Sequence, residues 1–193
     1  RDRSPSRGLG DVYKRQLSNL PDVSNVRPSA SSQIYDVHGN LITTVHSTEN
    51  RLPVPLKDVP KDLQNAFVAT EDSRFYSHHG IDPVGILRAV WVNIVHSGVS
   101  EGGSTITQQL ARNAFLSQDR TFKRKISEAL LALKIEQHYT KDEILEMYMN
   151  QIYFGQGAYG VQSAAHVYFG KDASQLTLAQ AALIAGLPQS PNY

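Results

Sequence analysis

The chain has 193 residues, of which 40% are hydrophobic and 19% charged, a composition typical of a folded region with its own core. Its net charge of +1 gives no electrostatic support for nucleic-acid binding, and the absence of cysteine excludes disulfides, a thiol nucleophile and a thiolate zinc site. No run of about 18 apolar residues occurs, so the sequence predicts no membrane-spanning helix within it.

The first 32 residues show no hydrophobic period. Residues 11–16 match the translation of a transposase sequencing adapter, which indicates that residues 1–16 are a non-native read-through tail; a native polar tail is the alternative. Under the first interpretation, we expect a membrane anchor upstream of this region to be missing. Residues 17–32 contain Ser, Pro, Asn and Asp without a period and predict a linker.

A β-hairpin is predicted next. Residues 33–37 and 41–45 are rich in strand-forming side chains, and His38-Gly39-Asn40 between them predicts a turn. An isolated hairpin is marginally stable in water, so this one is expected to pack on something larger.

The remainder of the chain predicts a mainly α fold. Asp82-Pro83, Thr140 and Thr177 are N-terminal helix signals, and Thr140 and Thr177 are each followed three residues later by Glu or Gln. We expect Trp91 and its apolar neighbours in the core, with contact to a membrane surface as the alternative. The predicted helices cover residues 60–71, 83–96, 104–115, 121–139, a segment from 141 onward, and 178–186.

Three polar clusters interrupt this helical pattern. In the first, Glu71 and Asp72 are followed by Phe75 and His78, and a carboxylate beside aromatic and imidazole groups suits a general base; a solvated helix end is the alternative. The second follows a Gly-Gly pair at a helix start, where anions bind well, although a simple helix start is equally compatible. Its members are Gly103, Ser104, Thr105, Gln108 and Gln109.

The third cluster joins positive charge to a carboxylate. Arg124 and Lys125 precede Glu128 by four and three residues, so all three side chains fall on neighbouring parts of one helix surface. Together with Arg112 they suit a pyrophosphate, and the carboxylate would orient the cations or hold a divalent metal ion. An ordinary surface ion-pair cluster is the alternative.

Taken in order, these segments resemble the peptidoglycan glycosyltransferase domain, glycosyltransferase family 51, of class A penicillin-binding proteins and monofunctional transglycosylases. The resemblance covers about residues 33–193. It rests on five motifs: Glu-Asp-x-x-Phe-x-x-His-x-Gly at 71–80, Gly-Gly-Ser-Thr-Ile-Thr-Gln-Gln at 102–109, Arg-Lys-x-x-Glu at 124–128, Met149-Asn150 with the glycines that follow, and residues 183–188.

The resemblance implies a lysozyme-like large lobe and a small membrane-proximal jaw lobe. It implies that lipid II and a growing glycan strand are the substrates, that β-1,4 bonds form with inversion, and that undecaprenyl pyrophosphate leaves. The enzyme would act at the outer face of the bacterial cytoplasmic membrane with other cell-wall synthesis proteins, and not on nucleic acid. The domain is expected to be truncated at its C-terminus, with no transpeptidase domain in the chain.

Residue roles are also implied by the resemblance. Glu71 would be the general base, and Glu128 would lie near the leaving pyrophosphate as a candidate metal ligand. Arg112, Arg124 and Lys125 would neutralise the pyrophosphate together with loosely bound Mg²⁺ or Mn²⁺. The other expected substrate-binding residues are Asp72, Phe75, His78, Gly103, Ser104, Thr105, Gln108, Gln109 and Asn150. The alternatives are a lysozyme-like glycan-cleaving enzyme and an inactive lipid-II-binding module.

Overall fold

A computed structural model describes residues 21–24, 32–38, 41–45, 50–95, 103–116 and 121–189. Over these ranges the chain is mostly helical, which confirms the predicted fold class. The helices are α1 (Lys61–Glu71), α2 (Pro83–Val95), α3 (Ile106–Phe115), α4 (Phe122–His138), α5 (Lys141–Gln151), α6 (Val161–Phe169) and α7 (Leu178–Gly186). The strands are β1 (Ser32–Tyr35), β2 (Leu41–Val45), β3 (Asn50–Arg51) and β4 (Ala158–Tyr159).

The strands form two small sheets. β1 and β2 pair antiparallel with Ser32 opposite Val45, where the sequence predicts the hairpin, and the register shifts between Ile34 and Tyr35. β3 pairs parallel with β4 over two residues, and this pairing was not predicted. It ties the extended segment before α1 to the loop after α5.

Aromatic and aliphatic side chains from most of the helices form one core. Phe67 on α1 stands edge-on to Tyr148 on α5, with ring centroids 6.1 Å apart, and to Phe154, at 5.9 Å. α3 packs against both α4 and α5, while α1 packs against α7. The C-terminal end of α1 and the N-terminal end of α3 are therefore held on the same packed body.

Side-chain caps start five of the described helices, and at α2 the predicted cap Asp82 accepts a hydrogen bond from the backbone N–H of Val84 at 3.1 Å. Thr140 and Thr177 form the predicted capping boxes of α5 and α7, in each case with the residue three positions later. Thr105 forms a third capping box at α3, and Thr121 caps α4 by accepting a hydrogen bond from the backbone N–H of Arg124. Such caps satisfy backbone donors that a helix start leaves without partners.

The apolar face of α2 does not lie where the sequence predicted. Trp91 is 69% exposed, and Leu87 and Ile94 are each 70% exposed, so the expectation that they belong to the core is wrong. Among the residues of this helix whose burial the structure describes, only Gly85 and Ala89 are buried, so it packs along one narrow face. Within the described ranges, no helix combines the length and the apolarity that a bilayer crossing requires.

Part of the predicted linker packs on the domain. Val23 is fully buried, its carbonyl accepts a hydrogen bond from the hydroxyl of Tyr139 at 2.8 Å, and the carbonyl of Pro21 accepts one from Lys134 Nζ at 3.1 Å. The predicted tail at residues 1–16 lies outside the described residues. Residues 98–102, which lie between α2 and α3, are outside them as well.

Candidate active site

A cleft of about 810 Å³ opens where the C-terminal end of α1 faces the first turns of α2 and α3. Polar and charged side chains dominate its walls. Its lining residues are Ala69, Thr70, Glu71, Asp72, Ser73, Asp82, Gly85, Arg88, Gly103, Ser104, Thr105, Gln109 and Arg112. The first two predicted clusters therefore meet in one cavity.

Glu71 is the last residue of α1 and projects into this cleft. Gln109 Nε2 donates a hydrogen bond to Glu71 Oε2 at 2.8 Å, while Glu71 Oε1 has no hydrogen-bond partner among the described residues. Burial raises the pKa of the Glu71 carboxyl, and the negative charge of Asp72 adds to that rise. The hydrogen bond from Gln109 and the charge of Arg112 oppose it. A carboxylate with one oxygen held by a hydrogen bond and the other buried without a partner gains by accepting a proton.

Asp72 links this segment to the start of α3. Its two carboxylate oxygens lie 3.0 and 2.9 Å from His78 Nε2, and the backbone N–H of Ile106 donates to Oδ2 at 3.1 Å. A carboxylate is favoured at a helix N-terminus because the first N–H groups point at it. Phe75 is fully buried and edge-on to His78, with centroids 6.4 Å apart. These three residues hold the start of α3 beside Glu71.

Thr105 and Gln108 use their polar atoms within the protein. The hydroxyl of Thr105 donates to the carbonyl of Gly80 at 2.6 Å and accepts from the backbone N–H of Gln108 at 3.1 Å. Gln108 Oε1 accepts from the Thr105 N–H at 3.0 Å. Both side chains are buried, so the contacts seen here are caps, and substrate binding by these two residues stays a prediction.

Gly103 lies where the backbone passes close to α2. A Cβ at this position would lie 3.3 Å from the Cα of Ile86 and 3.4 Å from the Cβ of Ala89, which is tighter than most side-chain contacts. Glycine therefore lets the segment before α3 lie against α2.

The third cluster is assembled as the spacing predicts. Lys125 Nζ contacts Glu128 Oε2 at 2.9 Å and donates a hydrogen bond to Ser104 Oγ at 2.6 Å. Arg124 Nε lies 3.2 Å from Glu128 Oε1. Through Ser104, which lines the cleft, the cluster on α4 is connected to the same cavity as Glu71.

Glu128 does not fit the role of a metal ligand. Its side chain is fully buried, and its two oxygens face Arg124 and Lys125. A divalent cation would have to displace one of these positive groups to reach the carboxylate. In the ranges that the structure describes, no group of three or more histidine and acidic side chains could hold a metal ion.

Asn150 lies away from the cleft. Its Oδ1 accepts from the backbone N–H of Val54 at 2.9 Å, and its Nδ2 donates to the carbonyls of Val54 and Glu146 at 2.8 and 3.0 Å. These bonds pin the extended segment before α1 to α5. Asn150 does not line the cleft, so its predicted role in substrate binding stays a prediction.

Sequence reasoning did not select three residues that the structure places at or behind the cleft. Asp82 and Arg88 line the wall contributed by α2. The Tyr148 hydroxyl lies 3.3 Å from Gln109 Oε1. A usable signal existed, because a buried tyrosine generally needs a partner for its hydroxyl.

Comparison with known proteins places the chain in a family. The transglycosylase family model matches residues 38–193. Penicillin-binding protein 1A of Escherichia coli is 52% identical over 96% of this chain and 22% of its own length. Penicillin-binding protein 1F of Bacillus subtilis is 50% identical over 84% of this chain and 23% of its own length. The chain thus spans about a fifth of these relatives.

Among solved structures, penicillin-binding protein 1A from Haemophilus influenzae matches 85% of this chain and 15% of its own length, at 29% identity and a TM-score of 0.40. The assignment rests on the sequence matches rather than on this superposition. The chain belongs to the transglycosylase family and carries the glycosyltransferase domain of class A penicillin-binding proteins.

Proposed function

We propose that this chain polymerises lipid II into peptidoglycan glycan strands. The observation that carries the proposal is the setting of Glu71, a partly buried carboxylate on the wall of a cleft of about 810 Å³, whose Oε1 is buried and has no hydrogen-bond partner among the described residues. Cationic and hydroxyl groups lie on the same cleft, namely Arg112 on its wall and Lys125 behind Ser104. The relatives are named penicillin-binding proteins, in keeping with cell-wall synthesis.

Glu71 acts as the general base in this mechanism. Its carboxylate takes the proton from the 4-hydroxyl of the lipid II acceptor, and the hydroxyl oxygen attacks the anomeric carbon of the growing strand. The bond from that carbon to the pyrophosphate breaks with inversion, and undecaprenyl pyrophosphate leaves with the bonding electrons. General base catalysis of this kind contributes roughly a hundred- to ten-thousand-fold. The fixed Oε2 and the raised pKa of Glu71 both favour this role.

Arg112, Arg124 and Lys125 neutralise the charge that develops on the leaving pyrophosphate. Glu128 contributes indirectly, because it is the buried counter-ion that keeps Lys125 next to Ser104. Dependence on Mg²⁺ or Mn²⁺ stays a prediction, and Glu128 is not proposed as the ligand of such an ion.

The exposed apolar face of α2 is proposed to meet the membrane surface. Leu87, Trp91 and Ile94 project outward, whereas Arg88 of the same helix lines the cleft. A lipid-linked substrate would then reach the cavity from the side on which its hydrocarbon chain is embedded. This arrangement suits an enzyme at the outer face of the cytoplasmic membrane, next to other cell-wall synthesis proteins.

Polymerisation of labelled lipid II in detergent with a divalent cation tests the proposal. The parent chain should make polymer, and Glu71→Gln should make at least about a hundredfold less because amide oxygens are poor bases. Glu143→Gln is the matched control, since Glu143 only caps α5 and glutamine also serves at that position. Shortening of preformed glycan by the parent would favour a cleaving enzyme, and binding without product would favour a binding module.

A further inference from the structure

Tyr148 lies directly behind the proposed base. Its side chain is fully buried on α5, and its hydroxyl is 3.3 Å from Gln109 Oε1 on α3. Gln109 Nε2 in turn is 2.8 Å from Glu71 Oε2 at the end of α1. Three helices thus contribute one side chain each to a continuous chain of hydrogen bonds that ends at the cleft.

We propose that Tyr148 is a positioning residue that sets the orientation of the Gln109 amide and, through it, the basicity of Glu71. The inference rests on the proposed function, because it concerns the group that would take the acceptor's proton. Tyr148 itself does not line the cleft, so it would not touch the substrate.

The direction of the hydrogen bonds follows from the groups themselves. An ionised Glu71 can only accept, so the Gln109 amide must turn its NH₂ toward the carboxylate and its carbonyl oxygen toward Tyr148. The tyrosine hydroxyl is the donor that satisfies this oxygen. Without that donor, the amide oxygen would lose its hydrogen-bond partner in the protein, and the orientation that places the NH₂ on Glu71 would be less favoured.

Tyr148 remains a neutral hydroxyl in this arrangement. Burial raises its pKa well above the ordinary value, and the negative charges of Glu71 and Asp72 add to the rise while Arg112 opposes it. The charged groups that act on Glu71 itself are Asp72 and Arg112, and Asp82 and Arg88 line the same cleft. Because its pKa is raised well above the ordinary value, Tyr148 does not contribute a titration of its own where the Glu71 carboxyl titrates.

Tyr148→Phe tests the inference. The Gln109 hydrogen bond lowers the pKa of Glu71 against the effect of burial, so loosening it should raise that pKa further. The acidic limb of the polymerisation rate against pH should move to higher pH. At a pH on that limb, kcat should fall about three- to tenfold, as loss of one hydrogen bond predicts.

Tyr139→Phe is the matched control. It deletes the same atom from a partly buried tyrosine, whose hydroxyl donates to the carbonyl of Val23 at 2.8 Å outside the cleft. It should lower the melting temperature without moving the pH limb. The carboxyl of Glu71, assigned by its absence in Glu71→Gln and followed by carbon NMR, should titrate higher in Tyr148→Phe and unchanged in Tyr139→Phe.

Coupling to Gln109 completes the test. If Tyr148 acts only through Gln109, then adding Tyr148→Phe to Gln109→Met should change neither the acidic limb of the rate profile nor the titration of the Glu71 carboxyl. Equal effects in both backgrounds, or a parent-like titration in Tyr148→Phe, would overturn the inference. If Tyr148→Phe does not fold, 3-fluorotyrosine at position 148 is the second variant. It keeps the ring and makes the hydroxyl a stronger hydrogen-bond donor to Gln109, so the acidic limb of the rate profile must move to lower pH.

Failure of this inference is distinguishable from failure of the proposed function. If the parent makes no polymer, or if Glu71→Gln remains as active as the parent, the proposed function is wrong, while the NMR titration still decides whether Tyr148 acts on Glu71. If Glu71→Gln is inactive and Tyr148→Phe keeps the parent pH profile, only the inference about Tyr148 is wrong.

Discussion

Glu128→Gln should reduce both stability and activity, because Glu128 is the buried counter-ion of two cations. Its side chain is 0% exposed, whereas Arg124 is 16% and Lys125 is 44% exposed. Removing one partner of a buried ion pair typically costs about 3–5 kcal/mol. Water partly solvates Lys125 and so compensates part of that loss, which leaves about 2–4 kcal/mol.

Thermal unfolding and polymerisation measure the two effects separately. For a chain of this size each kcal/mol lowers Tm by about 2–4 °C, so we expect Tm to fall by about 5–15 °C. Polymerisation below the new Tm should fall at least about tenfold, because Lys125 would no longer be held beside Ser104. The stability loss is the signature of a counter-ion rather than of a group that reacts with substrate.

Glu136→Gln provides the control for this experiment. Glu136 Oε1 accepts from Lys141 Nζ at 2.7 Å and from the hydroxyl of Thr107 at 2.6 Å, about two turns further along α4 than Glu128. It should lower Tm similarly and leave polymerisation intact. If Glu128→Gln instead keeps the parent Tm and still loses activity, Glu128 acts directly on the substrate and the counter-ion reasoning is wrong.

Two further predictions follow from single contacts. Because the folded-state pKa of Glu71 is raised, the native state binds more protons than the unfolded state between the two pKa values, so this residue's contribution to stability falls as pH rises through that window. Glu71→Gln should therefore raise Tm relative to the parent at neutral pH but not at pH 4, and scanning calorimetry measures both differences. An equal Tm difference at the two pH values would contradict this reasoning. Asn150→Ala should cost about 1–3 kcal/mol in urea unfolding with kcat/KM within about twofold, since its amide bonds the backbone of Val54 and Glu146. A large loss of kcat/KM at unchanged stability would instead restore Asn150 to the substrate-binding residues.

Local signals in the sequence predicted where helices begin better than they predicted which helix faces are buried. The Thr140 and Thr177 capping boxes start their helices where predicted, because a cap depends only on residues within one turn. Trp91 was misplaced for the converse reason. An apolar helix pattern shows that a face avoids water, but it does not show whether protein or a membrane covers that face.

Contacts between distant segments account for the rest of what the sequence could not predict. Tyr148 meets Gln109 across 39 positions, and the two-residue pairing of Asn50 with Ala158 spans still more of the chain. Glu128 was correctly grouped with its basic neighbours by helical spacing, but its complete burial depends on how α4 packs against α3. Spacing within one helix fixes a cluster, and packing between helices decides which atoms of that cluster a substrate can reach.

Helix α3 connects both sides of the proposed reaction. Its first backbone N–H is bound by Asp72, and its cap at Thr105 is bound to the carbonyl of Gly80. One turn further, Gln109 donates a hydrogen bond to Glu71, while Ser104, just before the helix, accepts one from Lys125 on α4. The proposed base and the proposed leaving-group cations therefore share one support. A change that shifts the start of α3 would displace both together, which explains how groups from separate helices keep a fixed geometry across an open cleft.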